Sequence, residues 1–155
     1  MSPSPIPAGY HAVTAYLIFP DASAAIDFYK RAFGAVEIFR MPGSGGKIMH
    51  AEIKIGDSHV MLADENLSCG ARSATTIGGS PISFCLYVED SGARTEQAVA
   101  AGATIVRPLQ DQFYGDRTAT VADPFGYQWT ISTHTEDVSP DEIARRAAAF
   151  MADQK

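Results

Sequence analysis

Val13-Thr-Ala-Tyr-Leu-Ile-Phe-Pro-Asp21, continued by Ala22 to Phe33 and closed by Gly34, is written a second time as Ile82-Ser-Phe-Cys-Leu-Tyr-Val-Glu-Asp90, Ser91 to Ala101 and Gly102. Each copy opens with residues that alternate in polarity, the period of a strand, and goes on to a segment with helical period. In the first copy Ala25, Ile26, Tyr29, Ala32 and Phe33 recur at helical spacing. From Asp to closing Gly the copies span 13 residues (21 to 34) and 12 residues (90 to 102), so they match within one residue. Such a repeat predicts a pseudo-twofold fold with a cleft between its halves.

Outward from each copy the pattern stays parallel. Strands are expected at Val36–Arg40, Ile48–Ile55 and His59–Ala63 in the first module, with Pro42-Gly-Ser-Gly-Gly46 as a mobile hairpin loop and Gly56-Asp57 as a hairpin turn. In the second they are expected near Thr104–Arg107, Arg117–Ala122 and Tyr127–Thr133, the last two joined by a turn at Asp123-Pro-Phe-Gly126. Residues 65–81, rich in Gly, Ser and Thr, read as a linker. Ser139-Pro-Asp-Glu142 combines an N-cap serine, a proline at the first helical position and a capping glutamate, which predicts a helix through about Ala152. The fold class is α+β: tandem βαβββ modules at about 10–64 and 82–134, then a C-terminal helix at about 139–152, all in one domain of 155 residues.

Composition bounds the function. A net charge of -6 argues against nucleic acid, which would call for a basic stripe. No apolar run approaches the ~20 residues of a membrane span, and the opening Met1-Ser-Pro-Ser-Pro-Ile-Pro-Ala8 reads as a short flexible arm. Two cysteines, Cys69 and Cys85, make no disulfide framework. They read as reduced thiols of a cytoplasmic protein, and Cys85 reads as buried.

Ala25-Ile-Asp-Phe-Tyr-Lys-Arg-Ala-Phe-Gly-Ala35, Met49-His-Ala-Glu52, and Phe113-Tyr-Gly-Asp-Arg117 followed by Asp123-Pro-Phe-Gly126 carry a resemblance. With Tyr16-Leu-Ile and the ending Thr133-His-Thr-Glu-Asp-Val138, they look like the PhnB-like branch of the vicinal oxygen chelate superfamily, which includes glyoxalase I, bleomycin-resistance proteins and extradiol dioxygenases. The resemblance implies the tandem fold, an open curved sheet and a homodimer in which modules of two chains complete each cleft. In metal-dependent members it also implies a divalent cation held by His, Gln or Glu. The matching positions here are Thr14 and Ser83 on the first strands, and about Met61 and Thr130 on the last. Hydroxyls and a thioether are poor donors for such a metal, so the usual metal site is expected to be lost, with no cofactor.

Alternation then names the residues of a ligand cup, since residues two apart on a strand share a face. Val13, Ala15, Leu17 and Phe19 suit the face under a helix, which leaves Thr14 and Tyr16 for the cleft; Ser83, Cys85 and Tyr87 repeat this, and Thr130 faces the same way on the last strand. His50 and Glu52 oppose the apolar set Ala51, Ile53 and Ile55. They are the candidate catalytic pair, because a carboxylate beside an imidazole orients it; the plainer reading is a rim histidine bonded to backbone. Phe113 and Tyr114 would wall a small organic ligand, with Arg117 either holding its anionic group or pairing with Asp116 or Asp123. Cys85 is either a nucleophile near His50 or packing. His11 and His59 read as solvated surface residues. Three functions follow: a metal-free small-molecule-binding protein; a metal-dependent lyase, isomerase or dioxygenase with a shifted site at His50, Glu52 and His134; and a cofactor-free enzyme with His50 as base and Arg117 on an enolate.

Overall fold

Both copies become four-stranded open sheets in the computed structural model, which describes residues 3–154; Met1 and Ser2 of the expected arm lie outside the described residues. The chain divides into two compact units, residues 1–81 and 82–155.

In the first unit, β1 (Ala15–Phe19) leads into α1 (Ala22–Phe33), then β2 (Val36–Pro42), β3 (Ile48–Ile55) and β4 (Ser58–Asp64). The sheet order is β1-β4-β3-β2, with β1 parallel to β4 and the other pairs antiparallel. Helix α1 begins where its sequence says it must: the Asp21 carboxylate accepts from the Ala24 amide at 3.0 Å. It ends at Gly34, whose φ of 68° only glycine adopts without strain. Its inner face buries Ala22, Ala25, Ile26, Phe28, Tyr29, Ala32 and Phe33 on the sheet. Tyr29 meets Phe19 edge-on at 5.9 Å and stacks on Phe33 at 5.9 Å. Each large apolar side chain so buried stabilises the unit by about 1.5–3 kcal/mol. Ala51, Ile53, Ile55 and Leu62 complete this core, as the alternation required.

Two expectations change here. Residues 65–81 are more than a linker: they hold a 3₁₀ turn at Leu67–Cys69 and a short helix, α2 (Ala74–Ile77), which packs on β1. Their polar side chains satisfy their own backbone, for the Asn66 side chain accepts from the Ser68 amide at 3.1 Å and Glu65 from the Ser73 amide at 2.6 Å. Val13 is not on the helix-covered face; it precedes β1 and is 88% exposed. The β2–β3 connection forms a 3₁₀ turn at Ser44–Gly46.

In the second unit, β5 (Ser83–Tyr87), α3 (Ser91–Ala101), β6 (Thr104–Asp111), β7 (Asp116–Ala122) and β8 (Gln128–His134) give the order β5-β8-β7-β6, followed by α4 (Pro140–Asp153). Asp90 caps α3 as Asp21 caps α1, at 2.9 Å to the Ala93 amide. Helix α3 docks differently, by small and hydroxyl residues. Ser91 donates to the Arg117 carbonyl at 2.9 Å, and its amide donates to Thr133 Oγ1 at 2.8 Å. The core is Ala119, Val121, Trp129 and Ile131, with Phe84 stacked on Trp129 at 4.6 Å. Asp123 ties the β7–β8 turn: Oδ1 accepts from the Phe125 and Tyr127 amides at 2.9 and 3.0 Å, and Oδ2 accepts from Trp129 Nε1 at 3.0 Å.

Strand β6 runs four residues past its expected end, through Pro108, because it is an edge strand with register shifts on both sides of Arg107, where a missing N–H is tolerated. Helix α4 has no buried residue. Arg146 holds it, reaching Glu136 at 2.8 Å and the Phe113 carbonyl at 3.2 Å. Glu142, gripped by Arg145 and Arg146, has its carboxyl pulled down to about 2.

Candidate functional site

The open face of the first sheet gathers a continuous polar chain. Strand β3 carries His50 and Glu52 away from α1, and the β3–β4 and β1–β4 registers put Glu52 opposite Met61 and Met61 opposite Tyr16. Tyr10, ahead of β1, donates its hydroxyl to Glu52 Oε2. Glu52 Oε1 lies 3.1 Å from His50 Nε2, and His50 Nδ1 lies 2.7 Å from the Tyr16 hydroxyl. A carboxylate only accepts, so His50 Nε2 carries a proton. Burial pushes the Tyr16 hydroxyl above its ordinary range, so Tyr16 serves as a hydrogen-bonding phenol rather than a phenolate. Phe39 flanks the imidazole with ring centroids 6.3 Å apart.

Tyr16 also walls a cavity of about 470 Å³ within this unit. The cavity runs from Ile18 and Ala63 on the strands to the 3₁₀ turn and Lys47, Ile48 and Met49 on one side, and to Asn66, Cys69 and Ala71 on the other. Asp64 and Glu65 also line it, with oxygens engaged by the Ala22 amide at 2.9 Å and the Ser73 amide at 2.6 Å. Reading the sequence missed these walls, since both segments read as loop and linker.

The open face of the second sheet is a ladder of hydroxyls. Thr120 pairs with Thr130 at 3.1 Å, Cys85 Sγ lies 3.4 Å from Ser132 Oγ, and Gln112 donates to Thr118 at 2.9 Å. At its end Tyr87 donates to Asp116 at 2.7 Å, and His134 lies between Asp116 at 2.8 Å and Asp137 at 2.9 Å. The Asp116 carboxylate, aided by burial, pushes the Tyr87 phenol up to about 12. Asp137 and then Asp116 raise His134 above the ordinary imidazole range, since both nitrogens face an acceptor. Tyr87, Tyr114, Asp116 and His134 border a second, more open cavity of about 490 Å³.

The expected site residues therefore sort unevenly. Tyr16, His50 and Glu52 are brought together, and Cys85, Tyr87 and Thr130 share one open face. Ser83 begins β5, exposed, and Thr14 lies one residue before β1. Three expectations do not hold in the form given. Cys85 is exposed rather than buried. Arg117 pairs with neither Asp116 nor Asp123 but with Asp111, its cross-strand neighbour, at 3.0 Å; it shares a face with Ala119 and Val121, on the helix side of the sheet. Phe113 packs on Phe150 of α4 at 5.5 Å. His59 is not simply solvated either: Tyr10 stacks on its ring at 4.0 Å, and its Nδ1 is buried without a hydrogen-bond partner.

A divalent metal, which the family resemblance implies, does not fit the donors present. The positions that the resemblance matches to its ligands are Thr14 and Ser83 and about Met61 and Thr130, and the Thr130 hydroxyl is bonded to Thr120. Among the described residues no three His, Cys, Asp or Glu side chains gather as a ligand set. Both ring nitrogens of His134, the third donor of a shifted site, face the carboxylates of Asp116 and Asp137.

Comparison with known proteins agrees with this architecture. The family model described as Glyoxalase/Bleomycin resistance protein/Dioxygenase superfamily matches residues 10–131. An uncharacterized protein of Mycobacterium bovis is 44% identical over 135 residues, 85% of this chain and 89% of that one. TioX from Micromonospora sp. ML1 superposes with a TM-score of 0.62 at 29% identity, over 80% of this chain and 98% of that one. The PhnB protein from Bacillus cereus shares the fold, with a TM-score of 0.62 at 16% identity over 79% of this chain and 99% of that one.

Proposed function

The chain belongs to the Glyoxalase/Bleomycin resistance protein/Dioxygenase superfamily, and on that premise we propose that it is a small-molecule-binding protein. Its ligand lies against the open face of the first unit, with no metal at the family's usual positions. The observation that carries this reading is the chain Tyr10–Glu52–His50–Tyr16, ending on the wall of a cavity of about 470 Å³. Fixing four partly exposed side chains costs rotamer entropy that surface hydrogen bonds barely offset. A geometry held at that cost and aimed into a cavity supports a ligand-orienting role for Tyr16 and His50. Aliphatic walls at Ile18, Ile48 and Met49 supply apolar contact beside few polar groups, the usual make-up of a small-molecule site.

The metal-dependent reading has no ligand set behind it, and the enolate reading loses Arg117, which faces α3. Val36, Ile38 and Phe39, exposed on the edge strand β2, support a homodimer, which sedimentation equilibrium tests. No helix of the described residues is long and apolar enough to cross a membrane, which accords with the cytoplasmic placement proposed here.

The test is a fragment screen by amide-detected NMR on the labelled full chain. Binders whose shifts cluster at Tyr16, Ile48, His50 and Ala63 without added metal support the proposal. Binders that appear only after zinc or manganese is added, or that cluster away from this cavity, contradict it.

A further inference from the structure

The segment ahead of β1 reaches the first sheet through the side chain of Tyr10. Residues 3–9 and 11–13 are exposed, while Tyr10 is half-buried on the open face. Its ring stacks on the His59 imidazole at 4.0 Å, 19° from parallel, and its hydroxyl donates to Glu52 Oε2. The strand register explains how one ring meets both. Lys54 opposes His59 and Glu52 opposes Met61, so His59 and Glu52 are diagonal neighbours on one face, about 7–8 Å apart along the backbone. A phenol spans that gap, with its face on the imidazole and its O–H at the carboxylate.

The contact is also incomplete. Under the arm His59 Nδ1 is buried without a hydrogen-bond partner, and a Cβ on Gly9 would lie 3.5 Å from Cε1, the ring carbon bonded to Nδ1. Seating the arm therefore strips water from a polar atom and orders a run of exposed residues. Against this stand one aromatic stack and one charge-assisted hydrogen bond. Opposing effects of this size leave the arm easy to open. Once it opens, the bared face runs from His59 along β4 and β1, past Met61 and Tyr16, to the cavity at Ile18 and Ala63. Whatever replaces Tyr10 must be flat, to lie on the imidazole, and must donate, because a carboxylate only accepts.

We propose that the seat of Tyr10 is a ligand subsite for an aromatic ring edged by an O–H or N–H donor, and that Tyr10 occupies it in the free chain until the ligand displaces the arm. No covalent bond is made or broken. The inference rests on the reading of this open face as the ligand site. It adds the group the ligand presents at the end away from the cavity, and the segment that makes way for it.

The experiment is NMR on the labelled full chain, wild-type and Tyr10→Ala, titrated with p-cresol and with toluene, the same ring without the hydroxyl, at matched millimolar concentrations. Tyr10→Ala is expected to bind p-cresol about tenfold more tightly than the wild-type chain does, the factor for an arm seated in about nine molecules of ten. It should also bind p-cresol about tenfold more tightly than toluene, the margin of a charge-assisted hydrogen bond. In the wild-type chain p-cresol should send the Ala8, Gly9 and Ala12 amides to random-coil positions, with further shifts running from His59 through Glu52 and His50 to Tyr16. Tyr10→Phe keeps the stack and loses the donor, so its affinity for p-cresol should fall between the other two. Equal binding of p-cresol by wild-type and Tyr10→Ala, or equal binding of p-cresol and toluene by Tyr10→Ala, overturns the inference and leaves the cavity a ligand site. So do p-cresol shifts confined to Ile48 and Ala63 while the arm amides stay in place. A fragment screen that finds no binder at Tyr16 and His50 overturns the reading on which the inference rests.

Discussion

Replacing Gly115 with alanine is the most demanding test of how the second unit holds its tail. Gly115 sits at φ +100°, and a Cβ added there would lie 2.2 Å from the Glu136 carbonyl oxygen and 2.9 Å from Val138 Cγ2. Its own carbonyl receives the Thr135 and Glu136 amides at 2.9 and 3.0 Å and the Thr135 hydroxyl at 2.9 Å. The dihedral alone costs an alanine about 1–2 kcal/mol. Relieving the overlap requires residues 135–136 to retreat by roughly 1 Å, because nonbonded heavy atoms settle near 3.5 Å. That retreat breaks the two backbone hydrogen bonds, at about 1 kcal/mol each. The sum is about 3–4 kcal/mol. Urea unfolding followed by fluorescence of Trp129, the one tryptophan of the sequence and a core residue of this unit, reads the loss directly. With a slope of about 2 kcal/mol per molar urea the midpoint should fall by about 1.5–2 M. Gly102→Ala is the control, with φ +123° but no contact nearer than 3.9 Å, so it should show the dihedral cost alone. A loss below about 1 kcal/mol for Gly115→Ala would refute the packing of the tail against this turn.

Other outcomes follow from the same contacts. Asp123→Asn keeps the shape but turns a donor toward Trp129 Nε1 or the two turn amides, so it should cost about 2–3 kcal/mol by the same fluorescence assay. His134 should hold its second proton above the ordinary imidazole range in a Cε1–H titration. Because its folded pKa is raised, its stabilising effect is present in full below the unfolded value and is lost as pH rises through the folded one, and His134→Gln should remove that pH dependence from the urea midpoint. Alkaline absorbance titration should show one tyrosine ionising near 12, absent in Tyr87→Phe and moved down in Asp116→Asn.

Local chemistry made the architecture legible. The helices α1 and α3 begin and end where an aspartate and a glycine bracket a periodic run, since each end is set by a hydrogen bond or a backbone angle a few residues away. The face assignments of β3 and β8 followed from alternation, and they brought His50, Glu52 and Thr130 to the open sides. What stayed hidden depended on distance in sequence or on register. Tyr10 meets Glu52 across 42 residues from a segment with no periodicity, so nothing local marks it. Lys47 and the 65–71 wall belong to connections whose paths are set by hydrogen bonds rather than by an apolar pattern: the Gly43 amide to the Lys47 carbonyl at 2.8 Å in the first, and those of Asn66, Glu65 and Ser73 in the second. Arg117 was drawn toward a ligand by the aromatic residues before it in Phe113-Tyr-Gly-Asp-Arg117; as a strand residue it keeps the parity of Ala119 and Val121, which face the helix side, and its guanidinium turns to Asp111 across the strand pair.

The central claim is that this chain keeps the superfamily's fold and binds its ligand without the family's metal. Elemental analysis of the protein purified without an affinity tag, alongside the His50→Ala variant and with thermal midpoints taken in added zinc, nickel, iron and manganese, tests it most directly. The account predicts far less than one metal ion per chain in both proteins and no rise in midpoint with any cation. About one ion per chain, lost in His50→Ala, would contradict it and make His50 and Glu52 the ligands of a metal enzyme.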